Sequence, residues 1–304
     1  MSVFYSRQKY YKDIENLCGI KAHTLRIWEQ RYQLCVAKRK ASQHRIYDNN
    51  DLKELLQVSF LYHNGYKISN IAGLSLADIE KLVEETYKNH PTNHEGSIHQ
   101  LTEASLDFDK ERFEKIINCL VLRTGIENSI RDVFYPFLQR IGLLWMTNHA
   151  IPAQEHFASH IIRKKIILAT DGLETPSNDK NSIVIFSPSG EYHEIPLLTA
   201  NYFFRKEGNK TLYFGTNVSV NTLTYYLNCH PAEYVYAHII TCLSHTDIED
   251  YISALRQSFK GKIVFSGPAC RFLEESHDLI ILNSLEELVA FSKKPGVIER
   301  RTIT

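Results

Sequence analysis

Apolar positions along the chain follow three successive rhythms. Over residues 22–32, Leu25, Trp28 and Tyr32 recur at three- and four-residue steps, which predicts a helix. A shorter helical stretch over 12–17 precedes it, and Cys18-Gly19-Ile20-Lys21 forms the connecting turn. After a basic loop at 38–45, Asp48 or Asn50 can cap a helix over 51–64 that Gly65 ends, and a short helix follows over 68–74. The middle of the chain keeps the helical rhythm over 76–89, 98–105, 110–123, 126–145 and 153–173. Residues 90–97, with Pro91 and Gly96, read as a linker, and Pro136 should kink its helix or lie near an end. Beyond a turn cluster at 174–179 the rhythm changes again. Apolar strands at 182–187, 211–215, 234–241, 262–266 and 278–282 alternate with helices at 194–208, 220–228, 246–259, 268–276 and 284–293. That alternation predicts βαβ units and a parallel sheet.

The expected fold is therefore α plus α/β, in three parts. A winged helix-turn-helix occupies 1–75, a linker helix and four-helix bundle 76–173, and a doubly wound, Rossmann-like parallel sheet 180–304. Ligands of such sheets sit beyond the carboxyl ends of the strands.

Composition changes this picture little; charge changes it more. The 304 residues are 43% hydrophobic and 23% charged, which excludes a disordered or fibrous chain. No apolar run is long enough for a membrane helix, and the polar first residues do not form a secretory signal. Six cysteines with no C-x-x-C pair fit reduced thiols in the cytoplasm. The formal net charge is zero, yet residues 1–75 hold 12 Lys/Arg against 6 Asp/Glu, and residues 76–304 hold 23 against 29. A basic head on an acidic body predicts an anionic partner for the head.

The head supplies chemistry for double-stranded DNA. Its second helix presents Lys21, His23, Thr24 and Arg26 toward a groove, while Lys38, Arg39, Lys40 and Arg45 of the wing suit phosphates. Trp28 is expected in the core. Three runs, Tyr11-Lys12-Asp13-Ile14, Gly19-Ile20 and residues Thr24 to Tyr32 (TLRIWEQRY), resemble the start of MerR-family transcription regulators. Arg45-Ile46-Tyr47 and Asp51-Leu52 match that family's wing and following helix, which adds Tyr47 to the DNA-binding set. The resemblance covers residues 5–75.

Further along, Trp145 is followed after nine residues by Glu155-His156, a spacing similar to that of MerR-type regulators with a light-sensing cobalamin module. The resemblance implies that the bundle caps the upper face of adenosylcobalamin, with Trp145 against the upper axial group and Glu155 and His156 beside it. Glu191-x-His193 after the first strand is similar to the module's [D/E]-x-H-x-x-G pattern. It implies that His193 ligates cobalt from below and that Glu191 orients its ring. Thr241 and Leu243 match a [S/T]-x-L step, and Ser266-Gly267 half-matches a Gly-Gly pair; both imply contacts to the nucleotide tail. The pattern's glycine is Pro196 here, tolerable as the first residue of a helix.

These resemblances imply a cytoplasmic, non-enzymatic regulator. It binds operator DNA as a homo-oligomer, dimer or tetramer, acts on RNA polymerase only indirectly, and has no membrane partner. Two alternatives stay open at this stage. One is a MerR-type regulator whose sensor is cofactor-free or differently liganded, favoured by Pro196. The other is a corrinoid-carrying enzyme component, which leaves the basic head unexplained. His156 and His160 stand four apart, but no second ligand pair accompanies them as a zinc site would need.

Overall fold

The computed structural model describes residues 20–34, 36, 38–39, 45–46, 49–89, 94–146, 150–174, 181–240 and 245–295. The stretch at 12–17, the wing residues Lys40 and Tyr47, and Thr241 and Leu243 lie outside the described residues. The chain divides into two compact units, Met1–Ile161 and Ile162–Thr304.

In the first unit, α1 (Ala22–Tyr32) precedes a two-stranded antiparallel ribbon, β1 (Lys38–Arg39) with β2 (Arg45–Ile46). Gln33 ends α1 in the left-handed conformation, φ 54°. Helices α2 (Asn49–His63), α3 (Ile68–Ile71) and α4 (Leu76–Asn89) follow. Trp28 is buried and meets Tyr62 of α2 edge-on, ring centroids 5.1 Å apart, so it is a core residue as expected.

The bundle consists of α5 (His94–Leu106), α6 (Lys110–Ser129), α7 (Tyr135–Met146) and α8 (Pro152–Asp171). α5 begins earlier than the linker reading allowed, and Gly96 lies buried in its first turn. The acidic Glu95 favours a helix start there, and Arg140 of α7 donates to it at 2.5 Å. The joint between the second and third bundle helices falls at Gly125, whose φ of 79° is not helical. Pro136 stands at the second position of α7. The wider turn Ile130–Phe134 precedes it, where the Tyr135 N–H reaches back to Ile130 O. That turn admits a residue with no N–H to donate.

The second unit is a five-stranded parallel sheet in the order β4-β3-β5-β6-β7. The strands are β3 (Ser182–Pro188), β4 (Lys210–Val218), β5 (Tyr234–His238), β6 (Lys262–Ser266) and β7 (Leu279–Leu282). Helices α9 (Glu194–Lys206), α10 (Val220–Cys229), α11 (His245–Ser258) and α12 (Leu285–Lys293) connect and cover them. β3 and β5 are buried almost throughout, as parallel strands sandwiched between helices must be. One expected helix is absent: 268–276 holds only a single tight turn, Pro268–Cys270. The chain beyond it engages the neighbouring strand instead, with Glu275 accepting the Ile281 N–H at 3.1 Å.

The strand order reverses at β3: the chain goes first to β4 on one side, then to β5 on the other. The crevice beyond the carboxyl ends of β3 and β5 is thus the topological switch point, where open α/β sheets bind ligands.

Candidate functional site

The start of α1 carries the candidate residues of the recognition helix. Lys21 precedes α1, and the side chains of Lys21, His23 and Arg26 are exposed, with Thr24 half-buried. Leu25, Trp28 and Glu29 occupy the opposite, buried face. This is the division a recognition helix needs: one face anchored in the core, the other offering donors to base edges. Lys38 and Arg39 pair with Ile46 and Arg45 across the ribbon, so three wing cations lie on adjacent strands.

In the bundle, Trp145 lies near the end of α7 and is 51% exposed. Glu155 and His156 lie in the first turns of α8. His156 Nδ1 is 2.9 Å from Glu155 Oε2, and Ser159 Oγ donates to Glu155 Oε1. Glu155 and His156 thus pair with each other at the start of α8.

The other cluster stands at the switch point. Glu191, in the loop after β3, is fully buried. A carboxylate so placed must be satisfied by hydrogen bonds. Its Oε2 accepts the Ile240 N–H, beyond β5, at 2.7 Å. Its Oε1 accepts the His193 backbone N–H at 3.1 Å and pairs with His193 Nδ1. Asn217 at the end of β4 secures the loop from the other side: its Oδ1 accepts from Gly190 N at 3.0 Å and its backbone N–H donates to Glu191 O at 3.2 Å. The loop is thus sewn to both strands flanking β3. A neutral imidazole that donates through Nδ1 presents Nε2 as a lone-pair donor, the arrangement common to metal-bound histidines. His193 is half-exposed, so that nitrogen is on the accessible side.

His193 is the N-cap of α9, which makes Pro196 the third helical residue and not the first. The substitution is still accommodated, because N–H groups throughout the first turn lack intrahelical acceptors.

Ser266 and Gly267 end β6. Ser266 is buried, and its hydroxyl lies 2.7 Å from Tyr236 Oη and 2.8 Å from His238 Nδ1. His238 and Tyr236 were missed in the sequence. The available signal was a histidine closing an otherwise apolar strand at the carboxyl edge. Burial pushes the His238 pKa down to about 4; Glu191 opposes the shift and His193 adds to it. Because the folded value lies below the ordinary 6.5, the unfolded chain takes up this proton first. The α/β unit keeps the full contribution above about pH 6.5 and loses it as pH falls toward about 4. From about pH 7 to about pH 5 we expect a loss of about 2 kcal/mol that His238→Gln abolishes, read by urea unfolding. An equal loss in both proteins would refute this assignment.

Family models match the head and the bundle. Residues 11–78 match the model for the MerR HTH family regulatory protein, and residues 97–169 match that for a B12 binding domain. The second match falls on the bundle and includes Trp145, Glu155 and His156. The chain is 24% identical to the HTH-type transcriptional repressor CarH of Myxococcus xanthus, over 83% of this chain and 86% of that protein. It is 22% identical to the repressor CarA of the same organism, over 70% of this chain and 69% of that one. The monomethylamine corrinoid protein of Methanosarcina barkeri shares the fold, with a TM-score of 0.52 at 15% identity, over 64% of this chain and 95% of that one. Both curated relatives are repressors, and an enzyme component would have no use for the head. Among the described residues no helix is long and apolar enough to cross a membrane. The chain joins a MerR-type helix-turn-helix head to a B12-binding domain, the architecture of a B12-sensing MerR-type transcription regulator.

Proposed function

We propose that this protein is a light-responsive repressor that senses adenosylcobalamin. It holds operator DNA in the cytoplasm as a dimer or tetramer and thereby keeps RNA polymerase from the promoter. The observation that carries the cofactor reading is the buried Glu191 carboxylate turned onto His193 Nδ1. The donor set fits a corrinoid: one oriented imidazole offers a single nitrogen to cobalt from below. Cobalamin would supply a light-sensitive cobalt–carbon bond. His193 would ligate the cobalt through Nε2 in place of the displaced nucleotide base, and Glu191 would hold the ring's tautomer and aim. Trp145 would exclude water above, and Glu155 would accept hydrogen bonds from an adenosyl ribose. Ser266 and Gly267 would border the nucleotide tail together with Thr241 and Leu243. On the operator, Arg26 would read bases with Lys21, His23 and Thr24. Lys38, Arg39, Lys40, Arg45 and Tyr47 would hold the backbone.

The test begins with the full chain, loaded with adenosylcobalamin in darkness and freed of unbound corrin. Bound corrin absorbance should persist, change on illumination, and change in step with retention of a duplex selected from a random pool. His193→Ala should bind the corrin at least about 10–100-fold more weakly. Equal binding by that variant would remove His193 as lower ligand. A chain that retains no corrin but still shifts DNA would establish the cofactor-free alternative.

A further inference from the structure

The residue after His193 is held as firmly as His193 itself, by groups the ligand motif does not include. Glu194 is the first residue of α9, directly after its N-cap. Arg163 of α8 donates to its Oε2 at 2.6 Å. From the other side, Tyr213 of β4 donates its hydroxyl to Oε1 at 3.3 Å. Each carboxylate oxygen thus grips a different element. Burial, together with the Glu194 charge, raises the Tyr213 pKa, so the phenol stays protonated and remains a donor.

As a source of stability the arrangement is minor. The Arg163 and Glu194 side chains are 40% and 27% exposed, and exposed ion pairs contribute about 0–1 kcal/mol. Its placement matters more than its strength. A metal ligand must be held to within about 0.5 Å of its working position. Glu191 fixes the His193 ring and its N–H, but the chain leaving His193 is fixed only from Glu194 onward. Arg163 adds a second relation. It stands seven residues, two helical turns, after His156, and so on nearly the same face of α8. Whatever shifts that face moves the partner of Glu194.

We propose that Glu194, gripped by Arg163 and Tyr213, is a positioning residue that aims His193 and ties that aim to α8. This rests on the reading of His193 as the lower cobalt ligand.

The experiment loads full-length protein with cob(II)alamin and records its electron paramagnetic resonance. An axial imidazole splits each cobalt line through its nitrogen. Wild type should show this splitting and His193→Ala should lose it. We expect Glu194→Gln and Arg163→Gln to lose at least about half of the nitrogen-split signal and to release corrin about tenfold faster. Their corrin-free melting temperatures should stay close to wild type, which separates positioning from folding. Arg163→Lys should keep the splitting, and exchanging the pair (Arg163→Glu with Glu194→Arg) should restore part of it. Full splitting and unchanged release in both glutamine variants would overturn the proposal. A wild-type protein that binds corrin without nitrogen splitting would overturn the His193 reading, and this inference with it.

Discussion

Gly267→Ala is expected to cost the α/β unit about 3–5 kcal/mol, the combined effect of overpacking and a forbidden backbone conformation. Gly267 has φ 101° and ψ 163°, a region open to glycine almost alone. A β-carbon there would lie 2.3 Å from Ile239 O and 3.0 Å from both Ile239 C and N. These are main-chain atoms and cannot swing aside as a side-chain tip would. They are also pinned: Ile239 N donates to Ser266 O at 2.9 Å, and Ala269 N donates to Ile239 O at 3.3 Å. Relief must come from parting the ends of β5 and β6. The strain would then pass to Ile240, whose N–H anchors Glu191, so ligand-loop geometry should suffer along with stability. Urea unfolding followed through the α/β unit measures the loss. A change under about 1 kcal/mol would show that the strand ends move apart freely, contrary to this account.

The second large effect is expected in the helical unit. Glu103 of α5 is buried and accepts hydrogen bonds from two other helices, at 2.9 Å from Gln57 of α2 and 2.8 Å from Arg112 of α6. His99 Nε2 lies 3.4 Å from the same carboxylate, with its ring stacked on Phe60 of α2. Burial alone would raise the pKa of Glu103. The nearby His99 ring, with the charge and hydrogen bond of Arg112, outweighs it and lowers the value to about 2. Glu103→Ala strands the Gln57 amide and leaves Arg112 without its counter-charge, at a cost of about 3 kcal/mol. Part of that is visible in pH alone. The folded pKa lies below the ordinary 4.5, so the stabilisation is complete above about pH 4.5 and lost as pH falls toward about 2. Between about pH 6 and about pH 3 the difference is about 2 kcal/mol, and Glu103→Gln should flatten it. Parallel acid limbs for wild type and Glu103→Gln would exclude the carboxylate as the source. Acid should thus loosen the two units in different windows, the sheet through His238 first and the helices through Glu103 later.

Much of this was readable in the sequence, because the information was local. Residues 22–32, 76–89 and 262–266 carry enough periodic apolar positions to fix their elements to the residue. Glu191 and His193 are two apart, and Glu155 and His156 adjacent, so each pair meets whatever the rest of the fold does. What escaped was long-range. His238 meets Ser266 only because β5 and β6 pair in one register, and Arg163 meets Glu194 across 31 positions. The Glu103 cluster draws on three helices whose relative rotation no helical pattern specifies. The missing helix at 268–276 failed differently: local propensity there gave way to the contact between Glu275 and β7.

The three bonds of the Glu191 carboxylate bear on the thermodynamics of binding. The orientation of His193 is settled when the sheet forms, by a side chain with no access to solvent. A ligand arriving from the open side therefore meets a group whose rotational freedom is already spent, and little conformational entropy remains to be lost on complex formation. Affinity at this histidine then reflects coordination chemistry more than ordering. Its entropic cost appears in the folding of the α/β unit, well before any cofactor arrives.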